Sequence, residues 1–242
     1  MSNRPRPNVV PGLLVSVRDL SEANLVGPMG ITILDVKEPG DGPLAPTSVR
    51  TWTEIAAAWG RDHVLSAALG EFESAVEIAS YLPAGGDGFA LAKMGPAGSR
   101  TIAQWERWWV TVKAELPHGV SLVAVAYADH EVANCPPAIE IFEAAKRLKI
   151  ENWLVDTFQK DGRSTLDHLS APTLATVGKS ARQVNAKWAI AGSIRYEVLE
   201  DLCSGTLCPD WIGVRGGVCD EKRSGRLDPA KISAWLSFLA GS

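Results

Sequence analysis

The chain has 242 residues, 46% hydrophobic and 21% charged, which fits one compact domain with apolar surface enough for its core. A formal net charge of −4 supplies no field to gather nucleic acid or an anionic membrane, so any phosphate chemistry rests on local donors. No run nears the roughly 18 apolar residues a bilayer span needs, and MSNRPRPNVVPG carries no apolar signal-like segment, so a cytoplasmic protein is expected.

In chain order, a Pro-rich arm, Met1–Gly12, precedes a first apolar β-rich run, Leu13–Val17. SEANLV then supplies a turn or two of helix, with Ser21 as cap and Glu22 near its positive end. The run Ile31–Lys37, the Pro-rich loop Glu38–Pro46 and a helically spaced Ser48–Trp59 follow. Strand and helix patterns then alternate: His63–Leu69 with Glu71–Tyr81, Gly88–Met94 with Ser99–Leu116, and Ser121–Ala128 with Pro137–Lys149. Asn152–Phe158 precedes the helix Thr173–Val184, Lys187–Gly192 precedes Arg195–Cys203, and Trp211–Arg215 precedes Asp228–Leu239.

Most of these strand runs are continuously apolar, as expected of a parallel sheet covered on both faces. Eight alternating units leave a closed barrel or an open doubly wound sheet, and the count favours an α/β TIM (β/α)8 barrel. The WERWW cluster puts Trp105, Trp108 and Trp109 on one helix face, which reads as packing or a subunit interface, and a homo-oligomer is possible.

Four cysteines in so long a chain are reduced thiols rather than a disulfide scaffold. Cys203 and Cys208 have no neighbouring Cys or His pair, so buried thiols are a better reading than zinc. His168 in LDHLS starts a helix or sits in a loop, and His63, His118 and His130 are scattered. Without a Walker loop, an HExxH or a GxGxxG after the first strand, no metal and no nucleotide cofactor is expected.

A barrel places its chemistry where strands end. The second strand ends in Asp35, Val36, Lys37, the fourth in Lys93, the fifth in Tyr127 and Asp129, and the sixth in Asp156 followed by Lys160 and Asp161. Asp35 and Lys37, two apart, both face the interior if Leu34 and Val36 face the helices. A rim lysine beside other cations and partly buried can be a neutral amine able to attack a carbonyl, and Asp35 or Asp156 can move protons for it. A single such lysine reads most simply as a rim salt bridge; the convergence of three with two carboxylates favours catalysis. After strands seven and eight come Gly192-Ser193 and Arg215-Gly216-Gly217, where such barrels hold phosphate on backbone N–H groups. Arg215 either adds a charge-assisted bond there or points away and pairs with a helix, leaving only amides.

The segments LLVSVRDLSEA, ILDVKEPGDGPL, LSAALG, FALAKMG, VAVAYAD, LVDTFQKDGRSTLDHL, AIAGSI and WIGVRGGVC, in this order, resemble the (5-formylfuran-3-yl)methyl phosphate synthase family. The resemblance implies condensation of two glyceraldehyde 3-phosphate molecules with loss of one phosphate and two waters, in methanofuran biosynthesis or a related one-carbon metabolism. It makes Lys37 the Schiff-base lysine, Lys93 and Lys160 further catalytic lysines, and Asp35 and Asp156 their acidic partners. The phosphorylated small molecule would then sit on Gly192, Ser193 and the Arg215–Gly217 loop, with Lys93 holding the second substrate's charge. The loop MGPAGSR after Lys93 departs from the family pattern. Other readings of the same residues are an aldolase-type Schiff-base lyase or a non-catalytic barrel that binds a sugar phosphate.

Overall fold

A computed structural model of the protein describes residues 10–83, 88–98, 101–195 and 208–241. Eight parallel strands close into a barrel in sequence order: β1 Gly12–Val17, β2 Ile33–Val36, β3 Val64–Glu71, β4 Leu91–Gly95, β5 Ser121–Tyr127, β6 Asn152–Asp156, β7 Lys187–Ile190 and β8 Trp211–Val214. β8 closes on β1 through Gly12 opposite Trp211 and Val15 opposite Val214. The helices are α1 Leu20–Val26, α2 Val49–Trp59, α3 Phe72–Ile78, α4 Ile102–Glu115, α5 His130–Ala133, α6 Ala138–Arg147, α7 Thr165–His168, α8 Ala171–Gln183 and, near the C-terminus, α9 Pro229–Gly241.

Side-chain parity sorts the strands into two apolar layers. Leu13, Val15 and Val17 of β1, with Leu34 and Val36 of β2, join the outer core against the helices. Val123, Val125, Tyr127, Leu154 and Ala189 fill the barrel interior instead. Successive residues of a strand face opposite sides, so every strand feeds both layers. The tryptophans of α4 serve the outer layer: Trp105 and Trp109 are buried with ring centroids 5.1 Å apart, and Trp108 packs 5.1 Å from Phe72 of α3.

Several boundaries move from the sequence expectation. α1 is capped by Asp19, whose side chain accepts from the Glu22 N–H, and not by Ser21. The chain turns into the helix two residues sooner than the S-x-x pattern implies, which leaves Ser21 in its first turn. α8 likewise starts at Ala171 under Ser170, because Pro172 is tolerated in a first turn where its missing N–H has no intrahelical partner. β3 continues through Glu71, where a helix start was expected. Of the expected arm, residues 1–9 lie outside the described residues, and Gly12 already belongs to β1. Most of the expected helix Arg195–Cys203, and Cys203 itself, also lie outside them. Among the described residues no helix is long and apolar enough to cross a membrane, and no group of side chains could hold a metal.

Candidate active site

The carboxyl ends of the strands surround a cavity of about 320 Å³. β2 brings Asp35 and Lys37 to it, β4 Lys93, β6 Asp156 with Lys160 just beyond, β7 the run Ala191–Arg195, and β8 the run Gly213–Gly217. Leu34 and Val36 face the helices, so the two-residue step from Asp35 to Lys37 places both on the inner side.

Charge is arranged in pairs, with one amine left over. Lys93, 3% exposed, forms an ion pair with Asp35, whose other oxygen accepts from the Ser16 hydroxyl at 2.9 Å. Lys160 folds back onto Asp156 at 2.8 Å and donates also to the carbonyl and hydroxyl of Thr157. Asp156 accepts from its neighbour's N–H, that of Thr157, at 2.8 Å. Burial alone would raise both aspartates, but the adjacent ammonium groups outweigh it: Lys93 and Lys37 hold Asp35 below the usual carboxylate range, and Lys160 and Lys37 do so for Asp156.

Lys37 has no carboxylate of its own. Its Nζ donates to the Pro43 carbonyl at 3.1 Å, inside the loop that follows β2. Burial dominates its titration, the cations Lys93 and Lys160 add to that, and Asp156 and Asp35 offset only part, so its pKa is pushed down to about 7. Near neutral pH a large fraction of this side chain is therefore an uncharged amine with a lone pair available to a carbonyl carbon.

On the opposite wall the chain is bent to expose backbone. Gly192 has φ +87 and Ser193 φ +54. A Cβ on Gly192 would lie 2.5 Å from the Thr165 hydroxyl oxygen and 2.9 Å from the Thr157 nitrogen, so the close approach admits only glycine. The Thr165 hydroxyl donates to the Ala191 carbonyl at 2.6 Å and its N–H to the Gly192 carbonyl at 2.9 Å, fixing this turn on α7. Gly216–Val218 forms one 3-10 turn, and a Cβ on Gly217 would meet nothing within 4 Å. These two turns line the same cavity.

Arg215 takes the second of the two courses left open by the sequence, with its side chain paired to a helix. Its Nη1 and Nη2 grip both oxygens of Glu22 on α1, the second at 3.0 Å, and it donates to the Ser16, Arg223 and Gly225 carbonyls. Burial acts to raise the Glu22 carboxyl, yet Arg215 and Arg18 hold it below its ordinary value. The Arg215 side chain is thus spent on closing the barrel between its last loop and first helix, leaving the N–H groups of its loop as donors. Lys93, expected to hold a second substrate's charge, lines the cavity paired with Asp35. Removing one partner of a buried bidentate pair strands the other. Arg215→Met is expected to cost about 3 kcal/mol in urea unfolding, and the double variant Arg215→Met/Glu22→Gln should recover part of it.

The sequence profile of the 4-HFC-P synthase family matches residues 13–236. The chain belongs to that family. A protein named (5-formylfuran-3-yl)methyl phosphate synthase from Archaeoglobus fulgidus is 30% identical over 237 residues, 95% of this chain and 99% of its own. One of the same name from Methanopyrus kandleri is 30% identical over 220 residues, 87% of this chain and 90% of its own. Among solved structures, KGPDC from Streptococcus mutans in complex with D-R5P superposes with a TM-score of 0.64 at 10% identity, covering 96% of this chain and 98% of that one. Phosphoribosyl anthranilate isomerase from Thermococcus kodakaraensis gives 0.60 at 16% identity, with 96% and 100% covered. At such identities the likeness concerns the barrel fold alone.

Two features of this family member's mouth, Arg223 and Glu71, escaped the sequence reading, and a third, Asp129, reads there only as a strand-end residue. Arg223 lines the cavity from the loop after β8. Glu71, at the end of β3, takes the Tyr127 hydroxyl and the Ala97 N–H, each at 2.8 Å, and burial raises its pKa. That carboxylate secures the turn after β4, the turn that follows Lys93. Asp129 accepts the N–H groups of Phe158 and Gln159, both at 2.7 Å, and so shapes the loop bearing Lys160. Inward parity could have flagged Ser16 from Leu14, since both lie on one strand face; for Arg223 no motif or period gives a signal.

Proposed function

We propose that the chain condenses two molecules of glyceraldehyde 3-phosphate into (5-formylfuran-3-yl)methyl phosphate through an imine on Lys37. One observation carries the reading: an amine with a pKa near 7 in a cavity whose other two lysines are each matched by an aspartate. The family membership and the names of the relatives support the product, and the cavity chemistry supports the route.

The first triose phosphate rests its phosphate on the backbone N–H groups of Gly192, Ser193, Gly216 and Gly217, which places its aldehyde toward Lys37. The neutral Nζ attacks the aldehyde carbon, and the carbinolamine loses water to give the iminium. The positive nitrogen acidifies the neighbouring carbon, whose proton passes to a carboxylate; Asp156, with Lys160 as its paired proton donor, is the group for this work. The resulting enamine is electron-rich enough both to expel a phosphate and to add to a second aldehyde. Loss of one phosphate and two waters overall, with return of the amine, leaves an aromatic ring, whose stability draws the sequence forward. Burial is what favours the neutral form of Lys37; Lys93 acts in the same direction, and its partner Asp35 acts against it.

Incubating the purified protein with glyceraldehyde 3-phosphate should give a growing ultraviolet band of a conjugated furan aldehyde, with one inorganic phosphate released per furan. Reversible carbon–carbon cleavage without that band would instead make the protein an aldolase-type lyase. Absence of any turnover would leave only a sugar-phosphate binder.

A further inference from the structure

We propose that Arg223 is the cation of a second phosphate subsite in the barrel mouth, the one that takes the second triose phosphate. This rests on the proposed condensation, which brings two phosphorylated substrates into one cavity, while the Gly192-Ser193 and Gly216-Gly217 turns form a single backbone cradle.

The remaining positive charge decides where the second dianion goes. Of the cations lining the cavity, Lys93 is matched by Asp35, Lys160 by Asp156 and Arg215 by Glu22. Lys37 must be neutral to react. Among the described residues that leaves Arg195 and Arg223 without an ion pair, and Arg195 is an exposed side chain beside the first cradle.

Arg223 is held differently. Its Nη1 donates to the Pro39 carbonyl and its Nη2 to the Gly42 carbonyl at 3.0 Å, both in the loop after β2. Carbonyls are neutral acceptors, so they fix the guanidinium without cancelling its charge, and two donors spent of five leave three for an anion. The side chain is half-buried, and burial pulls its pKa below the usual arginine value. An arginine remains protonated all the same, and this burial strengthens its pull on a dianion. A Cβ placed on Gly216 would stand 3.5 Å from the Arg223 Cβ, which sets the guanidinium next to the first cradle but reaching away from it, toward the loop of Lys37. The subsite therefore lies between the cradle and the β2 loop, where a second aldehyde can meet an enamine on Lys37. The same loop supplies Pro43, the acceptor for Lys37 Nζ, so a phosphate on Arg223 also sits against the segment that restrains the nucleophile.

Two measurements on the full chain, with Arg223→Met and Arg223→Lys, test this. In calorimetric titration with inorganic phosphate the unsubstituted protein should bind two equivalents, Arg223→Met one, and Arg223→Lys two with the second weakened. This count does not depend on which reaction is catalysed. In turnover with glyceraldehyde 3-phosphate, Arg223→Met should raise KM at least about tenfold while kcat changes less, since uniform binding of a substrate is what is lost. Borohydride capture of the first substrate on Lys37 should stay within about twofold, again because that event precedes the second binding. Two equivalents bound by Arg223→Met, or one by the unsubstituted protein, would overturn the subsite. A parallel loss of capture and turnover would also overturn it, by showing that Arg223 acts on Lys37 through the loop. Failure of the unsubstituted protein to make any furan would sink the proposed condensation while the phosphate count still stood.

Discussion

Lys37→Arg should stop furan formation and leave no substrate bound covalently to the protein after borohydride treatment. Arginine keeps the positive charge and much of the length of the side chain, but a guanidinium stays protonated at any workable pH and offers no amine lone pair. The loss expected is at least about a thousandfold in kcat/KM, roughly 4 kcal/mol of transition-state stabilisation. In the unsubstituted protein, reduction during turnover should add mass to the peptide carrying DVKEPG. The pH dependence has a definite sign. Lys37 titrates at about 7, so kcat/KM should rise with pH through 7 as the ammonium gives up its proton, and should not fall again until another group titrates. An adduct on the Lys160 peptide would exchange the roles of the two lysines. No adduct on any peptide would remove imine chemistry from the proposal.

The barrel was legible because its strands are short apolar runs at regular spacing, separated by helical periods; each signal is local. Parity within a strand was equally readable: Leu34 and Val36 fall in the outer core, with Asp35 and Lys37 on the cavity side. Pairing across the barrel was not. Asp35 lies beside Lys37 in sequence yet bonds Lys93, 58 residues away, because closing the barrel brings the inner faces of β2 and β4 together at one depth. Arg215 is separated from Glu22 by 193 residues, and no local pattern distinguishes a loop arginine that binds phosphate from one that closes a barrel on its first helix. Glu22 was read only as a favourable charge at a helix start; its carboxylate in fact joins Arg18, Arg215 and the loop after β8. Arg223 carries the same lesson, since its position depends on two carbonyls 181 and 184 residues away. Motif and period report what a strand presents, whereas the partners of a charged side chain are fixed by closure.

The organisation of the mouth also separates two jobs that one carboxylate could confuse, and Asp156→Asn should pull them apart in opposite directions. The amide oxygen can still accept the Thr157 N–H that Asp156 accepts at 2.8 Å, so the end of β6 keeps its shape. What disappears is a negative charge that raises the Lys37 pKa and a base able to take a proton. With Asp156 neutral, the cations Lys93 and Lys160 act on Lys37 with less opposition, and its amine should lose its proton at a pH below the present value of about 7. Imine formation, read as the initial rate of borohydride capture at pH 6, should therefore hold or increase. Furan formation should fall by about a hundredfold to ten-thousandfold, the usual range for removing a general acid–base group. A purely structural role for Asp156 would lower capture and turnover together. Turnover at the rate of the unsubstituted protein, or an acid limb displaced to higher pH, would show that Asp156 neither moves the proton nor sets the charge on Lys37.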